Sequence, residues 1–348
     1  MIAPTEIQVD PEAFCNDNCS FCSYRKEDGY NNEMLKILNA TPGKEYHDNK
    51  PTGKPSIQSR IPDETLLRIP EMMVEAGIQA IEVTGGGEPT MHPKFDEFIE
   101  LLGKADREIG LVTNGSLLYD ERIDLIVKNC LWVRISMDSA RPETHKKIHR
   151  TPGYSFEKRM EAIKKIAHLK DDSLTLGISF IITPENLSEI AEASHLFANI
   201  KGINHLRFSW MYDMQGSAGL TPDQIVDTKQ NLDSLKEEYD RDDFKIFYEK
   251  DRIETYTAPN KFDKCYFQKF VWAIGADANV YPCCIMKYHP EYANGNIAKN
   301  TLKELIEDTN TLAKQNGVEP SKCFPCWLRH RNSQIESAVE KPKHHNFI

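Results

Sequence analysis

Near the start of the chain three cysteines stand close together, in Cys15-Asn-Asp-Asn-Cys19-Ser-Phe21-Cys22. Thiolates are the donors that iron–sulfur clusters take from proteins, and C-x3-C-x2-C spacing can close on three irons of one cube. The fourth iron is then left without a protein ligand, open to a small chelating molecule. Structural zinc is the rival use of clustered cysteines, but zinc modules usually pair two short knuckles, and none lies close enough here to complete one. A second group gathers Cys265, Cys283, Cys284, Cys323 and Cys326, with Cys130 alone between the two. Four of these five can saturate a second cluster or a tetrahedral zinc; as a cluster the group would carry electrons and not bind substrate. Cys130, at a helix–strand turn, is expected in the core.

The elements that position these loops follow from periodicity. Ile7–Asp10 reads as a short strand delivering the first cysteine loop. The polar stretch 25–61, rich in proline and glycine, reads as an irregular insertion that can lie across the site. From residue 62 helices and strands alternate. Leu66, Leu67, Met73 and Val74 mark a helix kinked at Pro70, and Phe95, Phe98, Ile99 and Leu102 mark the next. Further helices are predicted near 121–129, along Phe156, Met160, Ile163 and Ala167, and near 187–199. Thr221-Pro-Asp-Gln224 is a capping box that opens a long helix to about Tyr239. The intervening strands are predicted at Ala80–Thr84, Gly110–Thr113, Trp132–Met137, Leu174–Ile182 and Leu206–Trp210.

Repeated βα units imply parallel strands with right-handed crossovers. Six of them are too few for a closed eight-stranded barrel, so the expectation is an α/β fold built as a partial (β/α)6 TIM-like barrel. Chemistry in such barrels sits at the C-terminal ends of the strands, where the unusual loops of this chain fall. Past residue 240 the alternation stops. Phe270–Gly275 and Asn279–Cys283 read as a hairpin around Ala276-Asp-Ala-Asn279, followed by a helix from Leu302 to about Lys314. Residues 1–240 are therefore expected as the barrel and 241–348 as a small C-terminal domain of hairpin and helix.

Composition narrows the function. A chain of 348 residues with 40% hydrophobic content supports one large domain and a smaller one. No apolar run approaches the ~20 residues a bilayer span needs, and the N-terminus lacks a secretory signal. A cytoplasmic protein with no membrane contact is expected, its nine cysteines serving as metal ligands or free thiols and not as disulfides. The net charge of −10 argues against an extended nucleic-acid footprint, though not against a nucleotide-sized substrate.

The cysteine triplet, with Phe21 just before its last thiol, resembles the radical S-adenosylmethionine (SAM) superfamily. The resemblance implies that the open iron of a 4Fe–4S cluster on Cys15, Cys19 and Cys22 chelates the methionine end of SAM. Gly85-Gly86-Gly87-Glu88 after the second strand looks like the superfamily's "GGE" element, whose backbone takes the SAM ammonium. Thr113 and Asn114, then Ser136 and Asp138, resemble positions that contact ribose and carboxylate, and Phe21 the aromatic beside adenine. Arg150 resembles an arginine that pairs with the SAM carboxylate in maturase relatives. The second cysteine group resembles the SPASM extension or its shortened twitch form. On that resemblance Cys265, Cys283, Cys323 and Cys326 hold one auxiliary 4Fe–4S cluster, Cys283 being chosen over Cys284 because it matches the family's Tyr-Pro-Cys. The family places glycine where this chain has Ala278, which puts that turn in doubt.

Alternation along the strands sends Arg134, Ser136 and Asp138 to one face and Val133, Ile135 and Met137 to the other. His205, Arg207 and Ser209 likewise oppose Leu206, Phe208 and Trp210, and Glu82 shares a side with Thr84. With the apolar sets packed under helices, a polar lumen remains, either as an internal ion-pair network or facing a polar or anionic substrate. Glu82, Arg134, His205 and Arg207 are the candidate catalytic residues, with Tyr212 and Asp213 extending past the last strand beside Trp210 to complete the pocket. The C-terminal His344-His-Asn-Phe-Ile tail is a second candidate cover.

By resemblance, the reduced first cluster splits SAM to a 5′-deoxyadenosyl radical that takes a hydrogen atom from the substrate. An external one-electron reductant of flavodoxin or ferredoxin type is then required. A polar small molecule such as a sugar, aminocyclitol or nucleoside derivative is expected to be dehydrogenated, epimerised or rearranged, since only fourteen residues precede the motif and no leader-binding domain is seen. Peptide or protein maturation is the alternative, and a non-enzymatic zinc module the third.

Overall fold

The computed structural model describes residues 3–22, 24, 60–151, 155–211, 218–250, 252–255, 260, 262–316, 318–320, 323, 326 and 328–339. Tyr212, Asp213, the C-terminal tail and nearly all of the 25–61 stretch lie outside them.

Ten strands form one sheet in the order β10-β9-β8-β1-β2-β3-β4-β5-β6-β7. They are β1 (Glu6–Val9), β2 (Ala80–Val83), β3 (Glu108–Thr113), β4 (Cys130–Ser136), β5 (Thr175–Ile182), β6 (His205–Trp210), β7 (Lys245–Tyr248), β8 (Val271–Ile274), β9 (Asn279–Tyr281) and β10 (Gly295–Asn296). Every pairing from β8 through β1 to β7 is parallel; β9 and β10 turn back antiparallel. This is the open, mostly parallel sheet of a partial barrel. It carries two parallel strands more than periodicity predicts. β7 is a four-residue strand whose Phe247 is half exposed, so it lacks an apolar alternation, and β8 was legible only as half of a hairpin. Two strands of the parallel run, β7 and β8, lie beyond residue 240.

Helices α1 (Asp63–Ala76), α2 (Phe95–Lys104), α3 (Asp120–Asn129), α4 (Pro142–His149), α5 (Ser155–Leu169), α6 (Ile190–Ala198) and α7 (Pro222–Tyr239) connect the strands. α1 runs through Pro70 and stops at Gly77, whose φ of 71° lets its N–H return to Val74. The Thr221 capping box forms as predicted, both reciprocal hydrogen bonds being present. Val133, Ile135, Met137, Leu206, Phe208 and Trp210 are buried with the helices' apolar stripes in one continuous core. Trp210 therefore packs in that core and does not complete a pocket. Cys130 is the first residue of β4, buried, its thiol pushed up to about 12 by desolvation.

Beyond α8 (Arg252–Thr255) come α9 (Leu302–Glu307), α10 (Thr309–Asn316) and α11 (Arg329–Val339). The turn before β9 forms despite its alanine. Ala278 adopts φ 62°, and Asp277 braces the turn by accepting from the Asn279 N–H at 3.1 Å and the Tyr281 hydroxyl at 2.7 Å. Left-handed alanine costs roughly 1 kcal/mol, which such local bonds can offset. No helix among the described residues is long and apolar enough to cross a membrane.

Candidate active site

At the C-terminal ends of β1 and β2 the cysteine loop and the glycine turn are folded onto each other. The Glu88 N–H donates to the Phe14 carbonyl at 2.7 Å and the Gly86 N–H to Asp10 Oδ2 at 2.9 Å. A Cβ on Gly87 would stand 2.2 Å from the Phe14 carbonyl oxygen, so only glycine permits this approach.

Glu88 itself is buried. Its carboxylate accepts from the hydroxyls of Thr90 and Thr113, at 2.5 and 2.6 Å, and from the Asn114 N–H at 2.7 Å. Burial raises its pKa against the pull of these bonds. Glu88 and Thr113 thus tie the turn after β2 to the end of β3. Asn114 does face the cysteines: its amide donates to Asn16 Oδ1 at 2.8 Å and lies 3.7 Å from Cys15 Sγ.

Cys19 Sγ lies 3.2 Å from His149 Nδ1, at the end of α4. Nδ1 is also 3.2 Å from Asp17 Oδ2, while Nε2 is 3.1 Å from the Met137 carbonyl and 3.3 Å from Asp138 Oδ2. These four neighbours accept hydrogen bonds when Cys19 is a thiolate; the one donor, Arg159 Nη1, is farther at 3.4 Å. The network therefore assigns a proton to each ring nitrogen and a positive charge to His149. Burial opposes that charge, but the Cys19 sulfur and the bonds to Asp138 and Asp17 raise its pKa well above the usual range. Burial would likewise raise the Asp17 carboxyl, yet Arg159, 2.7 Å from both its oxygens, and His149 hold it well below. Asp17, Cys19 and His149 lie close enough to share an ion. With Arg159 on Asp17 and protons on the ring, they form a hydrogen-bonded bracket for a sulfur and not a cation site.

The remaining residues expected around SAM fall differently. Phe21 meets His149 edge to face, with ring centroids 6.3 Å apart, and Ser136 is half-buried at the end of β4. Asp138, at φ 55°, receives the Ile181 N–H at 2.6 Å, so its carboxylate is committed to β5 and His149. Arg150 is the left-handed cap of α4 with an exposed side chain. Sequence reasoning missed Asp10, Asp17, His149 and Arg159; an arginine on the apolar stripe of α5, beside Phe156, Met160 and Ile163, was the available signal.

The second cysteine group converges too. Burial pushes Cys323 up to about 11 and Cys326 to about 12, and raises Cys265 and Cys283. The charge of Cys265 bears on Cys283, Cys323 and Cys326, so these sulfurs share one pocket. Four thiols suit a cluster with every iron ligated. Cys284, raised by burial to about 11, also bears on Cys283 and Cys326, but it feels Lys287, Glu82 and Asp10 as well and lines the barrel lumen. Asn332 of α11 fixes the approach to Cys265, accepting from the Tyr266 N–H at 2.7 Å and donating to the Lys264 carbonyl at 3.0 Å. Lys287 and Tyr288 join the two regions by donating to Asp10 Oδ2 at 2.5 and 2.9 Å.

Inside the barrel lies a cavity of about 960 Å³, lined by Glu82, Arg134 and Arg207 among the expected residues and covered in part by α11. His205 is not in its lining; its ring fills the space left by Gly177 and meets Phe247 edge-on. Burial, with Arg134 and Arg207 nearby, drops its pKa to about 4, so it is a neutral packing group below them.

A partial parallel barrel with three cysteines in the loop after its first strand, and a second cysteine group in its C-terminal region, is the frame of an iron–sulfur enzyme. The chain belongs to the radical SAM superfamily, whose model matches residues 11–197, and an iron–sulfur cluster-binding domain of SPASM type matches residues 265–327. Its cofactors are accordingly SAM and two iron–sulfur clusters. It is 26% identical over 152 residues to the antilisterial bacteriocin subtilosin biosynthesis protein AlbA of Bacillus subtilis, covering 43% of this chain and 33% of that protein. It is 28% identical over 178 residues to an S-adenosylmethionine-dependent nucleotide dehydratase of Flammeovirga pacifica, covering 50% and 52%. The chain thus spans a third to about half of these curated relatives. In fold it resembles Streptococcus suis SuiB bound to the precursor peptide SuiA, with TM-score 0.64, 12% identity, and coverage of 91% of this chain and 68% of that one.

Proposed function

We propose that this enzyme matures a peptide or protein substrate by radical chemistry on one side chain. The observation that carries this reading is the shape of the lumen. The cavity runs from Thr84 near the cysteine loop down to the exposed Glu108, Leu131, Lys250 and Gln334 at the opposite rim. A chain can enter such an open-ended passage, whereas a small molecule is better served by a closed pocket. The precursor peptide held by SuiB and the biosynthetic role named for the subtilosin protein point the same way. The small polar substrate expected from sequence becomes the second reading, favoured by the charged lining and by the nucleotide dehydratase relative.

In this reading Cys15, Cys19 and Cys22 hold the SAM-binding cluster, and Cys265, Cys283, Cys323 and Cys326 the auxiliary one, Cys284 remaining a lumen thiol. Backbone of Gly85–Gly87, with Phe21, Asn114 and Ser136, contacts SAM. The cofactors supply an adenosyl radical able to remove a hydrogen atom; the chain supplies orientation and exclusion of water. His149 and Arg159 steady the cysteine loop, while Glu82, Arg134 and Arg207 face the substrate.

The test is anaerobic enzyme with SAM and reductant, challenged separately with a synthetic peptide library and with nucleotide and sugar pools. Peptide-dependent 5′-deoxyadenosine, with a modified peptide seen by mass spectrometry, supports maturation. Stimulation by a nucleotide or sugar alone would falsify it.

A further inference from the structure

The chain carries a net charge of −10, yet its barrel interior gathers cations. Seven lysines and arginines line the cavity against four glutamates. Arg134 comes from β4, Arg207 from β6, Arg252 from α8 and Arg331 from α11. Four separate elements contribute, so this is not the solvated face of one helix. Glu249 serves two of these guanidiniums at once, at 3.1 Å from Arg207 and 3.2 Å from Arg252. Arg134 lies over the Trp132 ring at 5.4 Å, its π face a weaker partner than a carboxylate. Burial, then Arg207, push its pKa down to about 10 against the pull of Glu82, and Arg252 and Arg331 push further. A guanidinium depressed first by burial and then by neighbouring cations is one that an incoming anion stabilises.

The facing carboxylates supply only part of that anion, four against seven cations. Gln8 holds Glu82 at 3.3 Å, and burial together with Glu82 raises Glu6 to about 7, against Arg331. Glu6 thereby gives up part of its charge, and Glu249 is already divided between Arg207 and Arg252. Lys287, also in the lining, is occupied by Asp10 at 2.5 Å.

We infer that the wall formed by Arg134, Arg207, Arg252 and Arg331 binds an anionic group of the substrate, and, resting on the peptide reading above, that this group is an aspartate or glutamate side chain beside the residue to be modified. Planar guanidiniums suit a carboxylate through paired N–H donors, and a low-dielectric lumen strengthens the contact.

The experiment uses SAM-loaded holoenzyme and a fluorescent glycine-rich peptide carrying glutamates, with its glutamine twin, followed by anisotropy at low and high salt. The glutamate peptide is expected to bind at least ~10-fold tighter, with a preference that shrinks as salt rises. Arg134→Gln should lower that affinity by about tenfold and leave glutamine-peptide binding alone. Arg331→Gln, on the exposed face of α11, is the second variant should Arg134→Gln fail to fold, with iron content certifying both. Equal binding of the two peptides overturns the carboxylate inference and leaves the peptide reading standing. Arg134-dependent binding of inorganic tripolyphosphate, with neither peptide bound, overturns both and hands the wall to a phosphorylated small molecule.

Discussion

Cys19 rests against a charged, hydrogen-bonded bracket, whereas Cys323 and Cys326 sit in a pocket whose burial pushes their thiols up to about 11 and 12. Both regions offer sulfur to iron, and their surroundings differ. A fixed cation beside a ligating sulfur favours the extra electron of a reduced cluster; desolvation of the sulfurs disfavours it. The contrast teaches that the surroundings of the thiols differ as much as their number, and a division of labour between SAM cleavage and electron transfer is what that difference predicts.

The strongest test of this contrast replaces one ligand in each region. Cys19→Ala should abolish 5′-deoxyadenosine formation altogether, while Cys323→Ala should keep SAM cleavage, lose product and retain about half of roughly eight irons. Matching behaviour of the two variants would erase the division. A step smaller is Gly87→Ala, whose new methyl meets the Phe14 carbonyl oxygen at 2.2 Å. It should pry the turn from the cysteine loop, lowering iron in the first region while the second still loads; Mössbauer or EPR quantitation of each cluster reads this. Smallest is His149→Gln, which keeps a hydrogen-bond donor and removes the charge. The midpoint potential of the SAM-binding cluster should fall by on the order of 60 mV, a tenfold change for one electron. An unchanged potential in an EPR-monitored titration would mean the bracket is only mechanical.

The superfamily and the parallel barrel were legible because contiguous motifs and apolar alternation are local signals. The bracket was not. Asp17 meets Arg159, and Asp10 meets Lys287, across separations that no spacing rule spans. His149 stood next to Arg150 in sequence, but the helix end places the histidine inward and the arginine outward. The positions of Glu88 and Asp138 could not be foreseen either: a motif shows where a carboxylate stands, while only packing shows that Thr90, Thr113 and Ile181 have already claimed it. β7 escaped notice because its four residues, with Phe247 exposed, establish no period, and β8, read as one strand of the hairpin, gave no local sign of its parallel pairing with β1. α11 has no continuous apolar stripe, and its place is set by Asn332 and by the cavity it covers.

β1 is flanked on both sides, by β2 and by β8, although the latter is more than two hundred residues away in sequence. Cutting the chain at residue 240 would therefore strip one whole edge from its innermost strand and leave a row of backbone groups seeking any partner. The strand that delivers the first sulfur loop is completed only when the last third of the polypeptide comes home to pair with it.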